Sequence, residues 1–566
     1  MKTKKLLNTL LNNKKMKFLK IALLVDNLDL DNFNSEIVEV IKKNDFLKIE
    51  TVIINNINKK NKFLFYLKKY SIFRLIEKTL FKIIYLFEKN ILYKFFENYN
   101  FSKVNIDEIT NNKLFVSPII AKNGYFYNYS ENDLKEIREK QLDVIIGMGS
   151  GILKGDILNI TKYGILSFHH GDHDINRGGP PGFWEVYFKI PRTGFIIQKL
   201  NNNLDGGDVL FKGYFQTKHF YYQNKQSIYK NSAQYIEYTL LKILNNESKI
   251  IENKLYFNKI FKDPNLIQLL KYIITTYSKI LFKFLEKILL LKRVIWNVAY
   301  KKGKLYEHRL EQFDIIENNN KNRFIADPFL FKKNGNNYLF VEDFSFVKNI
   351  GVISCYELNN KNCNFLGQVI KEKFHLSFPF IFEFENQIYM CPETHEQKEI
   401  RLYHCLDFPK KWEYKMTLIK NILAVDTLIF AKNDIWWMLT NTSKTDTKDF
   451  CELSIFYSKK GPLTDKWIAH KSNPIYVDPC LARNGGILFK KNKIYRVNQK
   501  NGFNFYGKEF DINEILTINV DTYNEKLISN VKPNFLKNII GTHHLNNNED
   551  FITIDFCKKK YFFSKK

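Results

Sequence analysis

Residues 142–213 hold the densest set of side chains able to do chemistry. One buried apolar run ends in Gly147-Met148-Gly149-Ser150-Gly151. The next ends in Ser167-Phe168-His169-His170, followed closely by Asp172, His173 and Asp174. Glycines after a strand let a ligand lie against backbone amides and carbonyls. A polar cluster at the carboxyl end of a parallel strand is where an open α/β sheet binds ligands. Arg177-Gly178-Gly179-Pro180-Pro181 makes a rigid turn, and Phe183-Trp184-Glu185 starts a helix. Asp205-Gly206-Gly207 closes the following strand region, near enough in a twisted sheet to meet the histidines. By type, His170, Asp172, His173 and Asp174 could ligate a metal. Adjacent ligands are poorly spaced for one ion, however, and loop solvation accounts for them, so no metal is expected.

The elements that must position these residues alternate. Strands are expected at Leu19–Val25, 49–54, 114–116, 143–146, 164–169, 194–200 and 209–214. Helices are expected over 34–43, 130–140 and 226–244, the second opening with the Ser-x-x-Asp capping signal. Alternation of this kind implies a mostly parallel sheet in a doubly wound α/β domain over 18–250, after a basic tail at 1–17 and with a helical insertion at 63–98. The first strand continues as LVDNLDLDN and lacks a G-x-G-x-x-G turn, so an ordinary dinucleotide site is not supported.

A helical connector is expected over 251–299, and an all-β region over 300–560. There, short aromatic and β-branched strands are separated by Asn/Gly/Lys turns. Ala326-Asp327-Pro328-Phe329-Leu330-Phe331 recurs as Ser377-Phe378-Pro379-Phe380-Ile381-Phe382 and as Val425-Asp426-Thr427-Leu428-Ile429-Phe430. Weaker echoes are Asn484-Gly485-Gly486-Ile487-Leu488-Phe489 and Thr542-His543-His544-Leu545. Each interval suits one four-stranded blade, which predicts a five-bladed β-propeller.

Composition bounds the function. The 566 residues exceed a single core, and 45% hydrophobic with 16% aromatic content excludes a disordered chain. The formal net charge is +28. Its lysines are scattered among Asn, Ile, Phe and Tyr, as an A/T-rich coding bias produces, and no nucleic-acid-binding motif accompanies them, so nucleic acid is not an expected partner. The seven cysteines all follow residue 354 and form no C-x-x-C pair, which fits a reducing, cytoplasmic compartment. No apolar stretch reaches the length of a membrane span. The lysine-punctuated segments 63–96 and 266–291 read either as packed helices or as interfacial ones. On the second reading, contact through 266–291 places the protein at the inner membrane's periphery.

The segment 142–213 resembles the folate-dependent formyltransferases, whose pattern is Asn-x-His at a strand end, an Arg-Gly turn, a G-x-x-I-x-x-L/M strand and Asp-x-Gly. Ser167-Phe168-His169, Arg177-Gly178, Gly194 through Leu200 and Asp205-Gly206-Gly207 occupy those places in order. The resemblance implies 10-formyltetrahydrofolate as donor and an amine as acceptor. It implies that His169 accepts a proton or polarises the formyl oxygen, that Asp205 orients and stabilises His169, and that Gly147, Gly149, Ile152 and Leu153 line a pterin pocket. Arg177 falls on the substrate side. Ser167 replaces the family's Asn, an amide donor to the developing oxyanion.

Residues 300–560 resemble the five-bladed propellers of arabinanases and furanosidases, and more closely the amino-terminal domain of plant glucosamine inositolphosphorylceramide transferases. The matching stretches include Ala326-Asp327-Pro328, Phe340 to Asp343, Ala482 to Gly486 and Tyr506-Gly507. This implies that Asp327 and Asp426, at equivalent repeats, meet a glycan or nucleotide sugar at the central channel. Glu342 and Glu393 are the remaining acidic candidates there. The combined expectation is a formyltransferase acting on the amine of a sugar or sugar conjugate. The alternative is a glycan-binding or glycosyltransferase-type protein whose first domain has lost or altered formyl chemistry.

Overall fold

The structure, a computed structural model, describes residues 18–57, 71–95, 99–122, 124–149, 151–203, 206–285, 292–305, 310–317, 320, 322–359, 362–445 and 449–561. The expected tail at 1–17 lies outside them, as do 63–70 and 96–98 of the expected insertion. The chain divides into two compact units, the first essentially residues up to 274 and the second from 275 onward.

The first unit is built on a seven-stranded sheet: β1 (Leu19–Val25), β2 (Leu47–Asn55), β3 (Lys113–Val116), β4 (Val144–Gly147), β5 (Ile165–His169), β6 (Arg192–Lys199) and β7 (Asp208–Gln216). The order across the sheet is β7-β6-β5-β4-β1-β2-β3. Strands β3, β2, β1, β4 and β5 run parallel, and β6 is antiparallel to β5. β1 is an almost continuous apolar run because both its faces are covered, whereas β7 alternates buried and half-buried residues at the sheet edge.

Helix Asn32–Lys42 joins β1 to β2, and Asp31 caps it by accepting the Asn34 amide at 2.8 Å. Ser130 caps helix Glu131–Glu139 in the same way, as its sequence signal required. The helix expected over 226–244 is two, Tyr221–Ser232 and Tyr235–Leu244. Among its described residues the expected connector is helical only at Leu266–Leu285. Ahead of it, residues 251–259 form no helix, and Ile260–Phe261 pairs with Arg177–Gly178. After it, Lys292–Lys302 is already a strand of the second unit.

Among the described residues the second unit holds five antiparallel sheets. Four open with Arg323–Lys333, Ser377–Phe384, Ala424–Lys432 and Asn484–Lys490, the elements carrying the sequence repeats. The fifth joins Lys292–Lys302 to Phe551–Tyr561 and adds Leu545–Asn547 and Asp314–Ile315. The four opening strands and Leu545–Asn547 are neighbours in cyclic order, the last lying against the first. In each opening strand the pairing register breaks over two residues: Asp327-Pro328, Phe378-Pro379, Asp426-Thr427 and Gly485-Gly486. Asp327, Phe378 and Asp426 adopt φ of 50°, 47° and 51°, and Gly486 adopts 122°. These are β-bulges, which bend a strand and re-aim one side chain.

Gly485 answers a different demand. A Cβ there would lie 2.1 Å from the His543 carbonyl oxygen, a backbone atom that cannot step aside. Gly485→Ala should therefore cost about 1–3 kcal/mol of stability through overpacking. Urea unfolding followed by tryptophan fluorescence reads this directly, and an unchanged midpoint would contradict the close approach.

Candidate active site

In the first unit the strand order reverses between β1 and β4, so the carboxyl ends of these strands border a crevice. Asp26 follows β1 and accepts the Asn55 Nδ2 at 2.8 Å, while the Tyr129 hydroxyl donates to Asn55 Oδ1 at 2.8 Å. Gly147 ends β4. Beyond it, a Cβ on Gly149 would sit 2.7 Å from Asp26 Oδ1, and one on Gly151 would enter the Tyr127 ring at 2.3 Å. The protein itself thus takes up the room left by these two glycines. Ile152 is half-buried, whereas Leu153 is packed into the hydrophobic core with Tyr127, Ile157 and Ile165.

Ser167 lies on β5 between Gly147 of β4 and Gln198 of β6, and His169 lies opposite Ile196. Two residues apart on one strand, they share a face. The His169 ring centroid is 4.3 Å from that of His173, which is itself 4.8 Å from the Tyr256 ring. His170 is placed quite differently. It packs against Phe33 and Tyr229 at 4.6 Å each and meets Ser232 Oγ at 3.2 Å. Burial, with Lys225 and His169 nearby, pushes its pKa down to about 3, so it stays neutral.

Asp172 and Asp174 are each 2.8 Å from a lysine, Lys212 and Lys254 respectively. Arg177 is buried. Its Nη1 donates to the carbonyls of Tyr256 at 2.6 Å and Asn258 at 3.2 Å, and Asn258 donates back to the His173 carbonyl at 2.8 Å. In this structure Arg177 therefore clamps the 251–261 strap beside the histidines.

Asp205 lies outside the described residues. Its flanks are held in place: Asn202 Oδ1 accepts the Gly155 amide at 3.2 Å, and a Cβ on Gly207 would meet the Lys199 carbonyl at 2.6 Å. Sequence reasoning took Glu185 only as the start of a helix. Its buried carboxyl is pushed up to about 7 by desolvation, against the hydrogen bond from Asn176. No sequence signal marked it.

The second unit gathers titratable groups at its bulges. Asp327 Oδ2 accepts the Phe378 amide at 3.3 Å, and Asp327 Oδ1 is 3.6 Å from His543 Nε2. The other ring nitrogen of His543 is 2.5 Å from Asp555 Oδ2, while Asp555 Oδ1 accepts the His543 and His544 amides at 2.9 Å. Trp296 lies over the His543 ring at 4.1 Å. Asp426 Oδ2 accepts from Arg483 Nε at 2.6 Å and Gln499 Nε2 at 3.1 Å. Glu393 meets His395 at 2.7 Å and Glu342 meets His375 at 3.5 Å.

The fields in this cluster are strong. Burial lifts Asp327 to about 7 and Asp426 to about 6, although His543 and Arg483 respectively pull them down. Burial also lifts Glu342, with Asp327 and Glu393 adding. Burial works to raise Asp555 as well, but His543 outweighs it and holds the carboxyl down. Burial works to lower His543, and Asp555 keeps it raised. The site can thus present protonated carboxyls and a guanidinium together, donors suited to hydroxyls and anionic groups. Asp327, His543 and Asp555 also place one donor atom each within 4.8 Å of one another, as metal ligands do. The His170–Asp174 cluster forms no such group among the described residues. Asp555, Arg483, His543 and Tyr506 were not singled out as site residues from the sequence, though Arg483 and Tyr506 stand in the stretches that carried the second resemblance.

Residues 310–548 match the family model of the amino-terminal region of glucosamine inositolphosphorylceramide transferase 1. The transferase of that name from Arabidopsis thaliana is 34% identical over 207 residues, 36% of this chain and 27% of that protein. The chain thus spans about a quarter of the length of this relative. Methionyl-tRNA formyltransferase from Fusobacterium nucleatum is 31% identical over 121 residues, 20% of this chain and 39% of that one. Glycinamide ribonucleotide transformylase 1 from Symbiobacterium toebii aligns over 43% of this chain and 95% of its own, at 9% identity and a TM-score of 0.29. The chain therefore joins a formyltransferase-like region to a region similar to the glucosamine inositolphosphorylceramide transferases.

The Asp327 shift has a sign. An Asp in an unfolded chain titrates near about 3.9, so a folded value of about 7 means that the fold favours the protonated form. Its contribution to stability is full below about pH 4 and is lost as pH rises through 7, with a limiting slope of about 1.4 kcal/mol per pH unit. Asp327→Asn keeps the neutral form at every pH and leaves His543 its partner Asp555. The Tm of this variant should gain on the parent steadily from pH 4 to pH 8. A constant gap across that range would contradict the shift.

Proposed function

We propose that the first unit transfers a formyl group from 10-formyltetrahydrofolate to the amine of a sugar or sugar conjugate. The second unit, read as a five-bladed propeller, binds the glycan or nucleotide sugar. The observation that carries this reading is Ser167-x-His169 at the carboxyl edge of β5, beside the strand-order reversal, in a chain similar to methionyl-tRNA formyltransferases. A crevice bordered by Gly147, Ile152, Ser167 and His169 suits the pterin donor, which supplies an activated one-carbon acyl group.

His169 takes the proton from the amine as its nitrogen bonds to the formyl carbon, and gives a proton to N10 as the carbon–N10 bond breaks and tetrahydrofolate leaves. Asp205 orients His169 and balances its charge, and Ser167 donates its hydroxyl to the developing oxyanion. The buried Arg177 keeps the strap, and with it His173, against this edge. Support for the propeller comes from the cyclic order of the five inner strands and from the strand shared between Lys292–Lys302 and Phe551–Tyr561. Support for a sugar conjugate comes from the relative's name and from the donors around Asp327, Asp426 and Arg483.

One observation favours a second reading. A serine hydroxyl reaches less far than the amide it replaces, which fits a chain whose formyl chemistry is lost or altered and whose second unit binds glycan. Incubation with 10-formyltetrahydrofolate and nucleotide-linked amino sugars, read by mass spectrometry, separates the two. A product heavier by one CO is expected. His169→Ala should lower kcat/KM by about 100- to 10,000-fold, and Ser167→Asn should raise it. No product with any amine, together with no folate binding by calorimetry, favours the second reading.

A further inference from the structure

Helix Ile72–Asn90 and the first part of helix Leu266–Leu285 lie side by side on the first unit. Arg74 Nη2 donates to the Asp263 carbonyl at 2.8 Å, Glu77 Oε1 accepts the Leu266 amide at 3.0 Å, and the Tyr272 hydroxyl donates to Glu88 at 2.5 Å. Each helix has an inward stripe. On the second it is Leu269, Tyr272 and Thr276, all fully buried. Each also has an outward, exposed apolar stripe at helical spacing. Phe73, Ile76, Ile83 and Phe87 form it on the first helix, with Phe73 76% exposed. Ile267, Leu270 and Ile274 form it on the second, with Ile267 77% and Ile274 65% exposed.

Apolar residues thus stand on the outward as well as the inward faces of these helices, and the exposed charge beside them is of one sign. Lys82, Lys89 and Lys271 stand exposed on these helices. The acids are turned in or taken up: Glu88 is 1% exposed and accepts from Tyr272 and Tyr222, Glu77 pairs with Arg74, and Asp263 pairs with Lys78. Among the described residues, no helix is long and apolar enough to cross a membrane. Apolar stripes flanked by lysines, with the carboxylates withdrawn, complement a surface that is apolar inside and anionic at its rim.

We propose that this face of the first unit seats on an anionic lipid bilayer, lying in the interface with its lysines at headgroup level. Co-sedimentation of the full chain tests it, with phosphatidylcholine vesicles that carry or lack phosphatidylglycerol. Binding to the anionic vesicles is expected. The double variant Ile83→Glu/Ile267→Glu should abolish it while Tm and monodispersity stay unchanged. Lys82→Gln and Lys89→Gln should each weaken it about fivefold, the worth of one lysine near an anionic surface. The proposal is overturned by equal binding to both vesicle types or by binding to neither. It is also overturned if the double variant still binds, or if sedimentation velocity shows the parent to be a dimer that the double variant splits.

Discussion

Three side chains that would ordinarily avoid positive φ adopt it at equivalent places in consecutive sheets, and the second unit depends on this. Asp327, Phe378 and Asp426 each stand at the two-residue slip of a bulge. A left-handed residue other than glycine costs free energy, on the order of 1–3 kcal/mol. That cost is met by the surrounding structure: the Phe378 amide donates to Asp327, and Arg483, Gln499 and the Asn484 side chain bind Asp426. Each bulge turns a side chain out of the sheet's alternation. Two of the three are carboxylates, which meet where the inner strands lie side by side. Where no side chain is wanted, the fourth strand uses glycine, and the fifth strand's backbone closes in.

The two units solve the problem of buried charge differently. In the first, the groups near the crevice are neutralised locally: His170 is kept uncharged by its aromatic surroundings, and Asp172 and Asp174 hold lysines. That leaves His169 and Ser167 on a shared strand face. In the second, several carboxylates face few cations. Asp555 with His543 and Asp426 with Arg483 form tight pairs, and Asp327 and Glu342 are left to hold protons instead. A cluster in that state has donors to offer at neutral pH that ordinary carboxylates lack.

What the sequence showed depended on range. β1 was legible to the residue, because a strand covered on both faces must be apolar throughout, and the Ser130 cap was legible because it acts over three residues. The repeats around Asp327, Phe378 and Asp426 marked the bulged strands, since a Pro or Thr after the left-handed residue recurs with it. Asp555 was not legible: within Phe551–Tyr561 it reads as one polar residue of an alternating strand, and only its long-range pairing with His543 gives it a role. The 251–261 strap lay within the stretch expected to be a helical connector, and the residue that holds its Tyr256 and Asn258 carbonyls, Arg177, stands far upstream. Glycines were legible as a need for space but not for what fills it, which at Gly149 and Gly151 is Asp26 and Tyr127.

The sheet that joins Lys292–Lys302 to Phe551–Tyr561 bears on how the molecule comes into being. A ribosome emits these two strands some 250 residues apart, with every other sheet of the second unit made in between. The intervening hairpins are local and form as they emerge. Lys292–Lys302 finds Asp314–Ile315 on one edge early, but its other edge has no partner until the chain has been made as far as residue 561. Until then it presents an open edge, the kind that seeks another strand. Joining the first sheet strand of the unit to its last thus falls to one long strand pair, which must outweigh the loop-closure entropy of the chain between them.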